Sequence, residues 1–440
     1  MIWFWILPAV LISTFLLRKK HISFQNYLWV LLPIDMYGIS VAGVTIKPYM
    51  AFCIVLLIWL LKKDQRHFFV GSIAVPFILL GTLIVNTFNG GTITSLMSIF
   101  MVILVYLCAN IYASSADNCM NEIPEVIVAT SIGYGIVFSA AYMLFQAGVS
   151  IPGLVTNSSK TPGIIIQLRT MDEGAFSLAY RLRGFNIDPN ASVGLFLAVL
   201  PVDISALLMK QEHKMKYLVS FAFSLACIFF TNSRMGFFAA TIIVIISGIK
   251  ATRMASEEQQ GRIIRILIVA LTVLVLALLF TDFGERILNG IFSTYGNRAD
   301  FSAEHGRGSI WKETISVWFE KGFFFGIGTE NIRYLISLGK QTHNTWLEWL
   351  CGCGILAGSA VVIFFFLLLI RGFNTVMNGT DEEKILFQTV LMGFFGMVVC
   401  LFTVDNITNS YLWFFAITLM EILSAPSKQE DKLKCIYLKT

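Results

Sequence analysis

The chain has 440 residues, of which 56% are hydrophobic, 14% aromatic and only 13% charged, with a formal net charge of +5. That balance is too apolar for the surface of a soluble globule. It also argues against a disulfide framework, because of the eight cysteines Cys53, Cys108, Cys227 and Cys400 lie inside apolar runs as small hydrophobes. Cys351 and Cys353 are too close together for the usual metal-ligand spacing. The expectation is an all-α, polytopic integral membrane protein, since runs approaching the roughly 20 apolar residues that cross about 30 Å of hydrocarbon recur along most of the chain.

In chain order the apolar runs predict membrane helices at 2–17, 26–46, 48–61, 68–88, 92–113, 123–148, 191–209, 217–231, 235–249, 266–281, 345–370, 385–404 and 410–424. Only Lys47 and Pro48 separate the second from the third, so 12 or 13 helices fit. The first lacks both a basic stretch ahead of it and a small-residue cleavage signal behind it, and reads as a retained span. With the N-terminus outside, the short inner loops and the 425–440 tail hold 19 of the 32 Lys and Arg, and the short outer turns hold only Lys47 and Arg234. Two long hydrophilic segments, 149–190 and 282–344, then fall on the outer face and carry the other 11. The expected organisation is N-terminal spans 1–148, a first outer loop 149–190, central spans 191–281, a second outer loop 282–344, C-terminal spans 345–424 and an inner tail 425–440.

Three polar clusters border the spans. "RLRGFNIDPN" (181–190) ends the first outer loop, with Arg181 and Arg183 ahead of an Asp-Pro-Asn element in which Asn190 is available as a helix cap. A planar guanidinium at a membrane surface binds phosphate oxygens in pairs. "NSRMG" (232–236) sets Arg234 in a minimal turn, where it serves either a substrate or lipid phosphate. The second loop contains Arg307, then Trp311, Ile315 and Trp318 at helical spacing with charged residues opposite, which predicts an interfacial amphipathic helix. Its "GIGTEN" stretch has no preceding strand, so no nucleotide site is read there. The loop closes on His343-Asn344 directly before the span at 345; the other histidine of the outer loops, His305, lies deep in the second loop.

With these motifs in order, the sequence resembles the bacterial O-antigen polymerase and O-antigen ligase superfamily of membrane glycosyltransferases. The likeness runs through 181–190, 232–236 and 306–358, with Gly-Arg, Trp, Gly-x-Gly, His-Asn and a glycine-rich span in the family's order. Residues 1–170 match only in being apolar. Arg183 stands where the family commonly has a small residue and Met235 replaces a usual glycine, so either arginine of the first pair is a candidate for substrate contact, with Arg181 favoured by position.

The resemblance implies a GT-C-like fold in the bacterial cytoplasmic (inner) membrane, with the long loops facing the periplasm or exterior. It implies a metal-independent enzyme with no cofactor, acting on an undecaprenyl-pyrophosphate-linked oligosaccharide and an acceptor glycan, alongside a chain-length regulator and a flippase, and with no nucleic acid. His343 is the expected general base; Arg181, Arg183, Arg234, Arg307 and Asn344 are the expected substrate-binding residues. The leading reading is a polymerase joining repeat units of an O-antigen, capsule or exopolysaccharide. A ligase moving the glycan to lipid A core is its near neighbour, and a transporter or flippase, for which Asp35 and Asp203 are the deep acidic candidates, is the reading from another class.

Overall fold

A computed structural model describes residues 2–41, 44–62, 75, 79–82, 92–116, 119–158, 161–172, 175–209, 214–254, 261, 307–337, 339–378 and 384–424. The expected spans at 68–88 (apart from 75 and 79–82) and 266–281, residues 282–306 with His305, and the 425–440 tail lie outside the described residues.

Most apolar runs form helices. They are α1 Trp3–Leu17, the short α2 Leu28–Leu31, α3 Pro48–Lys62, α4 Ile93–Ala116, α5 Ile123–Gln146, a single turn α6 Pro189–Ser192 leading into α7 Gly194–Met209, α8 Lys214–Phe230 and α9 Arg234–Met254. The C-terminal half adds α10 Arg307–Lys321, α11 Ile332–Leu335, α12 Thr345–Asn378, α13 Lys384–Cys400 and α14 Ser410–Ser424. Among the described residues, four stretches, Ser95–Ala116, Met120–Gln146, Pro189–Leu208 and Thr345–Thr375, are long and apolar enough to cross a membrane, while α1, α3, α13 and α14 are apolar but shorter. The protein is an all-α polytopic membrane protein.

Helix α7 is the hub: it packs on α5, α8, α9 and α13 and is buried over nearly its whole length. Its sequence, GLFLAVLPVDISALLM, is apolar on every face, as a helix enclosed by other helices requires. Helix α12, by contrast, has only a third of its most apolar window buried, leaving Leu356, Ile363, Leu367 and Ile370 exposed for contact with lipid.

The helices alternate in direction. At one end Thr345 N donates to Leu401 O, Ser95 meets Thr329, and Arg181 reaches Thr231 O. At the other, Ser23 and Asn26 donate to Glu122, and Lys216 pairs with Glu125.

The expected span at 26–46 is not one helix. A 3₁₀ turn at Phe24–Tyr27 runs into α2, the chain breaks at Pro33, and a hairpin of β1 (Ile39–Val41) and β2 (Val44–Ile46) follows, Ile39 opposite Ile46. Proline cannot continue the helix, and Asp35, 2% exposed, needs a partner, which Lys47 supplies at 2.8 Å. The irregular stretch runs from the Glu122 end to Phe185 O, which accepts from Met36 N at 2.9 Å. Irregular backbone at such depth is tolerated only when buried in protein, and here Tyr134 Oη donates to Val30 O at 2.7 Å and Trp29 Nε1 to Tyr112 Oη at 2.6 Å.

The first long loop contains a small sheet that the sequence reading left out. Strand β4 (Ile165–Asp172) pairs antiparallel with β5 (Ala175–Leu182), Ile165 opposite Leu182, and β3 (Val155–Thr156) lies parallel to β4.

Candidate functional site

The two arginines at the end of β5 have different surroundings. Arg181, half-buried, donates from Nε to Thr231 O at 2.8 Å and from Nη2 to Asn190 Oδ1 at 3.2 Å. Thr231 O belongs to the orphan carbonyls after α8, where a cation is favoured, so the first polar cluster is tied to the turn that carries Arg234. Arg183 is fully buried and donates to the carbonyls of Gly163 (2.9 Å), Ser158 (3.4 Å) and Thr161. Burial holds its guanidinium pKa below the ordinary value.

The helix cap in this cluster is Asp188 rather than Asn190: Asp188 Oδ1 accepts from Asn190 N at 2.7 Å, while the Asn190 side chain receives Arg181. Proline at the first helical position leaves Asp188 as the natural cap. Arg234 opens α9 after Asn232, whose φ is +47°, and Ser233 Oγ accepts from Gly236 N at 3.0 Å.

In the second loop Trp311 does more than face lipid. Its indole N–H donates to Thr342 O at 2.8 Å, and Glu313 accepts from Ser337 N and Oγ, so α10 is docked against the segment before α12. Arg307 lies one helical turn before Trp311, on the same face. The hook on Thr342 therefore brings Arg307 within electrostatic reach of His343.

His343 is half-buried in a left-handed conformation, φ 50°, the next residue being the cap: Asn344 Oδ1 accepts from Trp346 N (3.0 Å) and Leu347 N (3.1 Å). Burial lowers the imidazole pKa from its usual value, Arg307 and Lys340 lower it further, and Asp188 opposes them. The charged neighbours of His343 thus include Arg307 from its own loop and Asp188 from the first cluster.

The Gly-x-Gly stretch joins backbone to backbone. Gly354, φ 77° and ψ 171°, breaks α12 after its second turn. The carbonyls released there accept from the loop: Ile327 N donates to Cys351 O at 2.9 Å and Gly328 N to Gly352 O at 3.0 Å, while Ile355 N donates to Phe323 O at 2.8 Å. Gly326 and Gly354 allow this approach because each lacks the Cβ that would collide. An open pocket of about 900 Å³ lies beyond, lined by Phe319, Phe323, Phe324, Phe325, Tyr334 and others; none of the arginines or His343 lines it.

Sequence reasoning missed three acidic residues of this region. Glu348, 1% exposed in the first turn of α12, accepts from Glu330 N and lies 3.4 Å from Thr342 Oγ1; Asp405 Oδ2 is 3.3 Å from the same hydroxyl. A lone carboxylate inside "TWLEWL" was the available signal. Of the deep acids that were noted, Asp35 is paired with Lys47, and Asp203 is fully buried within α7.

Fold and site together define a polytopic helical membrane protein with basic, acidic and imidazole side chains gathered at one end of its bundle. Residues 219–362, about a third of the chain, match the family described as O-antigen ligase. The match includes Arg234, Arg307, His343 and Asn344; Arg181 and Arg183 precede it. No curated protein matches the chain.

Proposed function

We propose that this protein is a membrane glycosyltransferase that joins lipid-linked oligosaccharide repeat units into a polysaccharide at the outer face of the bacterial cytoplasmic membrane. The observation that supports the reading is that His343 lies within electrostatic reach of Arg307 and Asp188, Asp188 capping the turn whose Asn190 receives Arg181, which in turn contacts Thr231 O ahead of Arg234. In this reaction an acceptor hydroxyl attacks the anomeric carbon of the donor and gives its proton to His343. The carbon–oxygen bond to the pyrophosphate breaks, and its electron pair leaves with undecaprenyl pyrophosphate.

A base must be neutral before it acts, and the lowered pKa of His343 keeps the imidazole unprotonated at neutral pH. The imidazolium that forms then lies near the Asp188 carboxylate. Charge developing on the departing diphosphate is met by fixed guanidinium groups, for which Arg181, Arg234 and Arg307 are the candidates. Arg183 ties Ser158, Thr161 and Gly163 together through their carbonyls instead, and Asn344 acts first as the cap that sets the helix end beneath His343.

The ligase reading, transfer to lipid A core or another acceptor, is favoured by the match of residues 219–362 to the O-antigen ligase family. Purified protein supplied with one lipid-linked repeat unit separates the two: a ladder of products identifies a polymerase, and a single transfer to a different acceptor identifies a ligase. His343→Ala is expected to abolish both; wild-type product from that variant would refute the assignment of the base. Proteoliposomes in which labelled lipid changes leaflet with no new glycosidic bond would point to transport.

A further inference from the structure

Glu348 and Asp405, with Thr342 between them, form a carboxyl cluster that nothing above uses. The two acids come from different elements, the first turn of α12 and the α13–α14 connection, and converge on one hydroxyl, Thr342 Oγ1. Around this pair the donors are few: the Glu330 N–H reaches Glu348 Oε1, and the Thr342 hydroxyl lies 3.4 Å from Glu348 Oε2 and 3.3 Å from Asp405 Oδ2. Two ionised carboxylates in contact away from water repel, whereas one proton between them makes a bond.

What the cluster holds is the turn that carries His343. Thr342 Oγ1 accepts from Asn344 N at 3.3 Å, and Thr345 is fixed to the same connection, its N donating to Leu401 O and its Oγ1 to Val404 O at 2.7 Å. Between these two anchored residues His343 sits at φ 50°, a left-handed conformation that is strained for a non-glycine residue and persists only where its surroundings impose it. Glu330 also has a positive φ, 64°, at the residue whose N–H meets Glu348.

We propose that Glu348 and Asp405 are positioning residues which, through the Thr342 hydroxyl, hold the His343 imidazole in its reactive orientation. This rests on the reading of His343 as the base. Burial and the nearby Glu348 and Glu330 carboxyls push the pKa of Asp405 well above the usual carboxylate range, which favours a proton on the pair.

The test uses the full-length protein in detergent with one lipid-linked repeat unit as substrate. Thr342→Val and Glu348→Ala are each expected to lower kcat by about 10- to 100-fold while leaving KM for the lipid donor within about twofold. Combining them costs little more than either alone, because both break one chain of contacts. Glu348→Gln and Asp405→Asn keep a donor and an acceptor in place and retain activity within about threefold. Losses that multiply in the combined variant, or amide variants as damaged as the alanine one, overturn the proposal. Should Glu348→Ala not yield folded protein, Thr342→Val, close to the same shape, carries the test.

Carbethoxylation of His343, followed by mass spectrometry, reads the turn without assuming any catalytic role. Its rate is expected to rise several-fold in Thr342→Val and to stay unchanged in Glu348→Gln. An unchanged rate in Thr342→Val overturns the positioning, even with His343→Ala inactive. A raised rate with His343→Ala fully active supports the positioning and removes the base instead.

Discussion

Replacing Gly354 with alanine perturbs both the break in α12 and the loop docked on it. At Gly354 the backbone has φ 77° and ψ 171°, a region that residues with a Cβ avoid, at a cost of about 1–3 kcal/mol. A new Cβ there would lie 2.3 Å from Phe324 O and 2.5 Å from Gly326 N, both backbone atoms with little room to move. Relieving such overpacking costs a further 1–3 kcal/mol or so. If the loop moves away instead, the three backbone hydrogen bonds between 323–328 and 351–355 are lost, at about 1 kcal/mol each. The two routes together span a loss of about 2–6 kcal/mol, a large share of the roughly 5–15 kcal/mol that holds a domain together. The assay is thermal unfolding in detergent followed by tryptophan fluorescence, with Gly248→Ala in α9 as the control, since a methyl there meets nothing within 4 Å. Equal midpoints for Gly354→Ala, Gly248→Ala and the unaltered protein would refute the reasoning.

Three other perturbations have defined outcomes. Arg183→Lys offers one ammonium where a planar guanidinium serves three carbonyls; a loss of about 2–3 kcal/mol is expected, seen as faster proteolysis at 158–163 with donor KM unchanged, whereas Arg234→Lys impairs transfer itself. The acid limb of kcat/KM against pH should fall below the ordinary histidine value of 6.5, because burial and then Arg307 disfavour the imidazolium. Activity is lost as pH drops through the lowered pKa of His343, so Arg307→Gln moves the limb upward; a downward or absent shift in the measured profile counts against the pairing. Lys47→Met strands the buried Asp35 carboxylate and should destabilise by about 3–5 kcal/mol, with most of it recovered in Lys47→Met/Asp35→Leu, as measured by thermal unfolding.

Membrane helices could be read from the sequence because an apolar run of the right length has few other structures open to it, and the ends of α1, α3, α4 and α14 lie within three residues of their expected positions. The 26–46 segment misled because composition outweighed punctuation: Pro33 and Asp35 mark the break, but the residues around them are as apolar as a span. The β4–β5 hairpin had a period-two signal in Phe176, Leu178, Tyr180 and Leu182, overlooked in a loop presumed irregular. Without the strand, Arg181 and Arg183 read as a pair, although one reaches the α8 end and the other is sealed among loop carbonyls. Arg307 and His343 could be found as cations and a titratable ring at span borders. The contacts that organise them could not, since Trp311 meets Thr342, and Thr342 meets Asp405, across elements whose docking no local pattern encodes.

The broken crossing between residues 24 and 36 also places a condition on how the protein is made. Its polar backbone and side chains are satisfied by Tyr112, Tyr134 and Phe185, the last of which follows Met36 by 149 residues. A nascent chain emerging from the ribosome has none of these partners available, and hydrocarbon offers it no substitute. This stretch must therefore wait at the bilayer surface and thread inward only after later helices are in place. Biosynthetic order and final topology part company here, and a chain truncated before α5 would leave residues 24–36 stranded outside the bundle.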